Sequence, residues 1–180
     1  MADRALTEAA FSHYRSGRTS KDMHPDAQRY VNDALQMTEA DGLEAWVDGE
    51  AGTEPEEPGV VAPTPDNLRL WVVTPDDVLH ASEECEFARR LGPGSADAVK
   101  HSNLTGGGSA YAGGELFFLC EGAIVINGSS GRYRIATEDE MAAVEKAFTE
   151  SGYTVWSMGF DNDVNRPRPF GTIRARRVAA

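Results

Sequence analysis

Cysteine is almost missing from this sequence. Cys85 and Cys120 are the only two, too few for a disulfide framework and not spaced as a paired ligand motif. Long apolar runs are missing too. Nothing approaches the roughly 18 uninterrupted apolar residues of a membrane span, and Met1–Ala10 lacks the apolar core of a signal peptide. The four histidines, His13, His24, His80 and His101, show no ligand spacing with the cysteines or with one another, so no metal is expected. Asp161-x-Asp163-x-Asn165 opens like a calcium loop, but Arg166 stands where glycine is needed and Thr172 where the bidentate Glu belongs. Thr105-Gly106-Gly107-Gly108-Ser109 has the glycines of a phosphate cradle without the Gly-Lys-Ser/Thr that completes one. Gly128-Ser129-Ser130-Gly131 is one residue too short for a hydrolase nucleophile elbow. Positive charge is also scarce: 17 Lys and Arg stand against 29 Asp and Glu, a net charge of −12. That surplus argues against electrostatic binding to nucleic acid or to an anionic membrane.

What is present is ordinary globular material. At 180 residues, 41% apolar and 26% charged, the chain is long enough to bury a core and too apolar to be wholly disordered. A soluble, cytoplasmic protein is expected. The charge, however, is lopsided. Residues 1–97 hold 20 acids and 8 bases, and residues 98–180 hold 9 of each. Eight acids fall between Thr38 and Glu57 with no Lys or Arg, and Gly49–Asn67 carries Pro55, Pro58, Pro63 and Pro65 with Gly52 and Gly59. We read 1–48 as an N-terminal helical acidic region and 49–67 as a linker or long loop. Residues 68–165 form an α+β core domain, and 166–180 an Arg-rich tail. The acidic stretch is a solvated segment in the plain reading. In the sharper one it is a flap over a basic site.

Asp26–Ala40 shows Ala27, Tyr30, Val31, Ala34 and Leu35 at helical spacing after Pro25, which predicts an amphipathic helix. Leu68–Val73 alternates as a strand. Thr74-Pro75-Asp76-Asp77 has the chemistry of a helix start. Val78, Leu79, Cys85, Ala88 and Leu91 give that helix its buried stripe, and Gly92-Pro93-Gly94 stops it. Ten of the 18 glycines lie between Gly92 and Gly131. There, Glu115–Leu119 and Ala123–Asn127 flank Cys120-Glu121-Gly122 as a β-hairpin. Arg132–Ile135 is a further strand. Thr137 and Glu140 make a capping box for a helix over Glu138–Ser151 that stops at Gly152, and Tyr153–Phe160 is a last strand. The sum is an α+β fold: a mainly antiparallel sheet with a central β-hairpin and two to four flanking helices.

The polar residues that could carry chemistry gather between Lys100 and Tyr133: His101-Ser102, the glycine loop, Glu115, and Ser129-Ser130-Gly131-Arg132-Tyr133. The string His101-Ser102-x-Leu104-x-Gly106-Gly107, Ala112-Gly113-Gly114-Glu115-Leu116, Gly122-Ala123-Ile124-x-x-Ile126-Asn127-x-Ser129-x-x-x-Tyr133 resembles a domain of bacterial polymorphic toxins and effectors. It is similar also to one in plant IQ-motif calmodulin-binding proteins. The resemblance covers Val99–Phe160 and implies a toxin-like protein, cytoplasmic or delivered from a bacterial cell as an effector. Arg132 stands where the pattern has His, and arginine cannot act as a general base near neutral pH.

His101 and Tyr133 also look like the His and Tyr of the His-Tyr-Glu ADP-ribosyltransferases. That resemblance implies NAD as cofactor and a catalytic set of His101, Tyr133 and a carboxylate; Glu115 lies before Tyr133 rather than after it, so Asp161 or Asp163 would serve in place of the Glu. Ser102, Gly107, Ser129 and Arg132 are the residues expected to hold the cofactor. A carboxylate would stabilise the oxocarbenium-like state as nicotinamide leaves. The competing reading is a non-catalytic module for an unidentified protein partner, built on the glycine-rich β-unit with His101 and Tyr133 packed inside. A third has the acidic half mimic nucleic acid toward a basic partner.

Overall fold

The computed structural model describes residues 4–27, 29–45, 57–60, 62–91, 98–120 and 122–180. Along them run α1 (Arg4–Arg15), β1 (Glu44–Ala45), β2 (Arg69–Val73), β3 (Val78–Ser82), α2 (Glu86–Arg90), α3 (His101–Thr105) and β4 (Ala112–Cys120). Then follow β5 (Ala123–Ile126), α4 (Glu138–Glu150), β6 (Thr154–Ser157), β7 (Phe160–Asp161), β8 (Arg166–Pro167) and β9 (Arg176–Arg177). Seven strands make one sheet in the order β1-β3-β2-β4-β5-β6-β9, and β7 and β8 form a separate ribbon. The fold is mixed α and β with a mostly antiparallel sheet. Among the described residues only β5 and β6 run parallel, Ile124 opposite Val155 and Ile126 opposite Ser157. Parallel neighbours need a crossover, and α4 supplies it.

The two-residue period of the strands sends side chains to two covered faces. On one, Trp71, Leu116, Ile124, Ile126 and Val155 meet Phe11 and Tyr14 of α1 and Val144 and Phe148 of α4. The Phe148 ring stands edge-on to both Phe11 and Trp71, with centroids 5.1 and 5.2 Å apart. Burying one such side chain stabilises the fold by roughly 1.5–3 kcal/mol. The other face carries two patches. Leu70 and Val72 pack under Met37, Phe87, Leu91, Leu104 and Tyr133, and Phe117, Val125 and Trp156 under Phe170 and Ala175.

Several expected elements differ. Among its described residues Asp26–Ala40 forms no α-helix but a series of turns that runs into a short 3-10 helix at Glu39–Asp41. Its backbone groups are spent on α3: Asn103 Nδ2 donates to the carbonyls of Asn32 and Leu35, and Met37 N donates to Asn103 O. Thr74–Asp77 starts no helix; it is the turn joining β2 to β3. Thr74 Oγ1 still accepts from Asp77 N at 2.9 Å and Asp77 Oδ1 from Val78 N at 2.8 Å, because the same local bonds serve a helix cap or a tight turn. Arg132–Ile135 is not a strand. Arg132 O accepts from His24 N, Tyr133 O from Gly113 N, and Tyr133 N donates to Ser130 Oγ, so no ladder runs along it. Glu138–Glu150 is the helix expected there, and Thr137 Oγ1 accepts from Glu140 N at 3.1 Å. The expected Gly92-Pro93-Gly94 stop, and residues 49–56 and 61 of the linker, lie outside the described residues. At the C-terminus, Arg176 and Arg177 pair with Ser157 and Trp156 as an edge strand.

Candidate functional site

His101 opens the short helix α3. Its ring is buried, with Nε2 2.8 Å from Gly114 O. Burial pushes the ring down to about 4; the Gly114 carbonyl opposes this and Arg132 adds to it. A Cβ on Gly113 would stand 3.0 Å from His101 Cδ2 and 3.2 Å from Ser130 Oγ; on Gly114 it would stand 2.1 Å from Asn127 O. The glycine pair is there so that a ring and two loops can close onto β4.

Tyr133 closes the same node from the other side. It is fully buried, its backbone carbonyl accepts from Gly113 N, and its hydroxyl donates to Gly108 O at 2.6 Å and lies 2.7 Å from Thr105 Oγ1. Burial raises its pKa. Ser102, also fully buried, donates to Asp33 Oδ1 at 3.0 Å and accepts from Arg132 Nε at 3.1 Å. Arg132 Nη2 closes the triangle on Asp33 Oδ1 at 2.8 Å. Burial alone would raise the Asp33 carboxyl, but bonds from Tyr30 N–H, Arg132 and Ser102 outweigh it and hold the group below its ordinary range.

Most of the remaining expected site residues lie apart from this node's polar centre. Gly107, with φ +79°, follows α3 and donates its N–H to Ser102 O at 3.0 Å, so it touches the node through backbone alone. Glu115 on β4 accepts from Asn127 Nδ2 at 2.7 Å, and burial raises its carboxyl. Asp161 belongs to the β7–β8 ribbon and lies 3.6 Å from Arg168 Nε. Asp163 is exposed on the turn after it. His101 and Tyr133 therefore meet around Gly113, and neither carboxylate meets them with a hydrogen bond or ion pair among the described residues.

Beside the node opens a cleft of about 820 Å³. It lies beyond the carboxyl end of β5, against the β7–β8 ribbon and the start of α4. Gly128, Ser129, Ser130, Arg132, Arg134 and Ile135 form one wall, and Val164, Asn165, Arg166 and Pro167 another. Lys21, Asp22, His24 and Pro25 from the N-terminal segment complete it together with Ala136 and Glu140. Lys21 Nζ lies 3.0 Å from Glu140 Oε2 and donates to Arg134 O at 2.8 Å. Arg134 Nη1 lies 3.4 Å from His24 Nε2. Of the eight expected site residues, only Ser129 and Arg132 line the cleft. Asp33, Lys21 and His24 were not legible as partners, because they sit in a stretch without a motif and arrive only by folding. Among the described residues no cluster of His, Cys, Asp and Glu is placed to hold a metal, and no helix is long and apolar enough to cross a membrane. No protein-family model, curated protein or solved structure matches this chain.

Proposed function

We propose that the chain is a non-catalytic binding module built on its glycine-rich β-unit, with the cleft as its docking site for a protein partner. The observation that carries this reading is the fate of the two side chains on which a catalytic reading depends. His101 and Tyr133 are buried, and their polar atoms bond inward to Gly114, Gly108 and Thr105. A group so placed holds loops together and has no path to a substrate proton.

The second reading is a toxin- or effector-like, NAD-using ADP-ribosyltransferase. What favours it is that Ser129 and Arg132 line a cleft large enough for an anionic dinucleotide. Against it, none of His101, Tyr133, Glu115 and Asp161 lines that cleft. Incubating the purified chain with NAD and candidate target proteins and measuring free nicotinamide separates the two. The module releases none above background. Release that falls in Glu115→Gln or Asp161→Asn would overturn the module reading.

A further inference from the structure

The cleft combines two properties at odds with the rest of the molecule. The chain carries a net charge of −12, yet Lys21, Arg132, Arg134 and Arg166 meet at this cleft against Asp22 and Glu140. Two of those cations are already answered, Lys21 by Glu140 and Arg132 by the buried Asp33. Arg134 and Arg166 are exposed and form no salt bridge among the described residues, Asp161 standing opposite Arg166 in the β7–β8 ribbon but turned to Arg168 at 3.6 Å. The α4 N-terminus adds little, because Glu138, Asp139 and Glu140 occupy its first turn and Glu140 Oε2 accepts from Ala136 N at 2.8 Å. The attraction for an anion therefore comes from two guanidinium forks facing one cleft. Ser129, Ser130 and Asn165 stand on its walls as further hydrogen-bonding groups.

The geometry points to recognition of a phosphomonoester in this cleft. A phosphomonoester brings close to two negative charges and three acceptor oxygens, which matches two unanswered arginines; a single carboxylate would leave one of them unmatched. Planar guanidinium forks suit phosphate oxygens in pairs. The volume of about 820 Å³ far exceeds a bare phosphate. Pro25, Ile135, Val164 and Pro167 on the walls give the organic part of the ester an apolar surface. The loop that would face the phosphate is closely packed at its start: a Cβ on Gly128 would stand 2.8 Å from Ile135 Cδ1 and 3.0 Å from both Met141 Sδ and Pro167 Cγ. A loop so packed loses little entropy on binding. The inference rests on the cleft alone and stands or falls apart from the question of catalysis, which nicotinamide release decides.

The ester can be a free small molecule or a phosphorylated side chain of the protein partner, and titration calorimetry on the full chain distinguishes them. The probes are AMP and adenosine, and one short peptide carrying phosphoserine, serine or glutamate at its centre. Millimolar or tighter binding of AMP or of the phosphoserine peptide is expected, with none of adenosine or the serine peptide. Binding of AMP alone assigns a small molecule; binding of the phosphoserine peptide assigns a modified partner. The double variant Arg134→Ala, Arg166→Ala weakens that binding at least tenfold while its melting temperature and circular dichroism stay those of the parent, since both positions are exposed. Failure of both phosphorylated probes to bind, an equal response to the glutamate peptide, or binding unchanged in the double variant overturns the assignment.

Discussion

Arg132→Ala tests the node on which both the site and the fold depend. The Arg132 and Asp33 side chains retain only 12% and 7% of their exposure, and the guanidinium reaches Asp33 Oδ1 and Ser102 Oγ at 2.8 and 3.1 Å. Truncation leaves a buried carboxylate with the Tyr30 N–H and the Ser102 hydroxyl as its remaining donors. Removing one partner of a buried pair costs about 3–5 kcal/mol. The lower figure applies because those two donors stay. In a chain of this length that corresponds to a melting temperature lower by roughly 6–12 °C. Adding Asp33→Asn removes the stranded charge and recovers about half of the loss. The pH dependence carries a sign. In the parent the Asp33 carboxyl is held below its ordinary value, so its stabilisation is full above the unfolded pKa and disappears as pH falls through the folded one. Without Arg132 the carboxyl takes up its proton at higher pH. The gap between parent and variant in urea unfolding is then widest near about pH 7 and narrows toward about pH 4. A melting temperature within about 2 °C of the parent, or a double variant no more stable than the single one, would refute the account.

Gly114→Ala should be among the most disruptive single-methyl changes, since its Cβ would meet Asn127 O at 2.1 Å and the Trp71 ring at 2.6 Å. Overpacking against backbone and a fully buried ring costs about 3 kcal/mol or more, read as a lower urea midpoint, whereas Gly131→Ala, with nothing within 4 Å, stays within about 0.5 kcal/mol of the parent. Burial holds His80 at about 3 and His101 at about 4, so the unfolded chain binds more protons than the folded one below about pH 6.5. Stability therefore falls as pH drops from there toward 4, and His101→Gln flattens that slope in a series of urea midpoints. Glu145→Ala strands the buried Ser157 hydroxyl, which donates to Glu145 Oε1 at 2.5 Å, and frees Arg176, 2.6 Å from Oε2. It costs about 2 kcal/mol, set by the stranded hydroxyl because the half-exposed Arg176 is taken up by water, and amide exchange accelerates in β9 before it does in β5.

Part of this architecture is legible because local chemistry and tertiary demand agree. The alternation of Leu68, Leu70 and Val72 with Arg69 and Trp71 becomes β2 from Arg69 on, buried on both faces. Thr137 does cap α4, whose Met141, Val144, Ala147 and Phe148 form its buried stripe. Where they conflict, packing prevails. Helical spacing in Asp26–Ala40 yields turns, since Asn103, a residue some 70 positions away in sequence, takes the Asn32 and Leu35 carbonyls. The cap-like Thr74–Asp77 becomes a turn because Val78–Ser82 has strands to join on both sides, β1 and β2. The candidate site divides in the same way. That His101, Ser102 and Tyr133 belong together is visible in the glycine pattern around them. That they face inward depends on Gly113 and Gly114 letting a ring close onto β4, a distance no spacing encodes.

By itself the sequence determined the class of molecule: its α and β content, its mostly antiparallel sheet, and an acidic surplus confined to residues 1–97. These follow from periodicity, caps and charge, which act within a few residues. Only the tertiary structure decided that a chain of net charge −12 presents a cationic cleft, because Lys21, Arg132, Arg134 and Arg166 come from segments up to 145 positions apart. Electrostatic attraction depends on distance in space, and long-range pairings set those distances: Lys21 bridges to Ala110 and reaches Arg134 O, and Arg166 pairs with Asp161 in the ribbon.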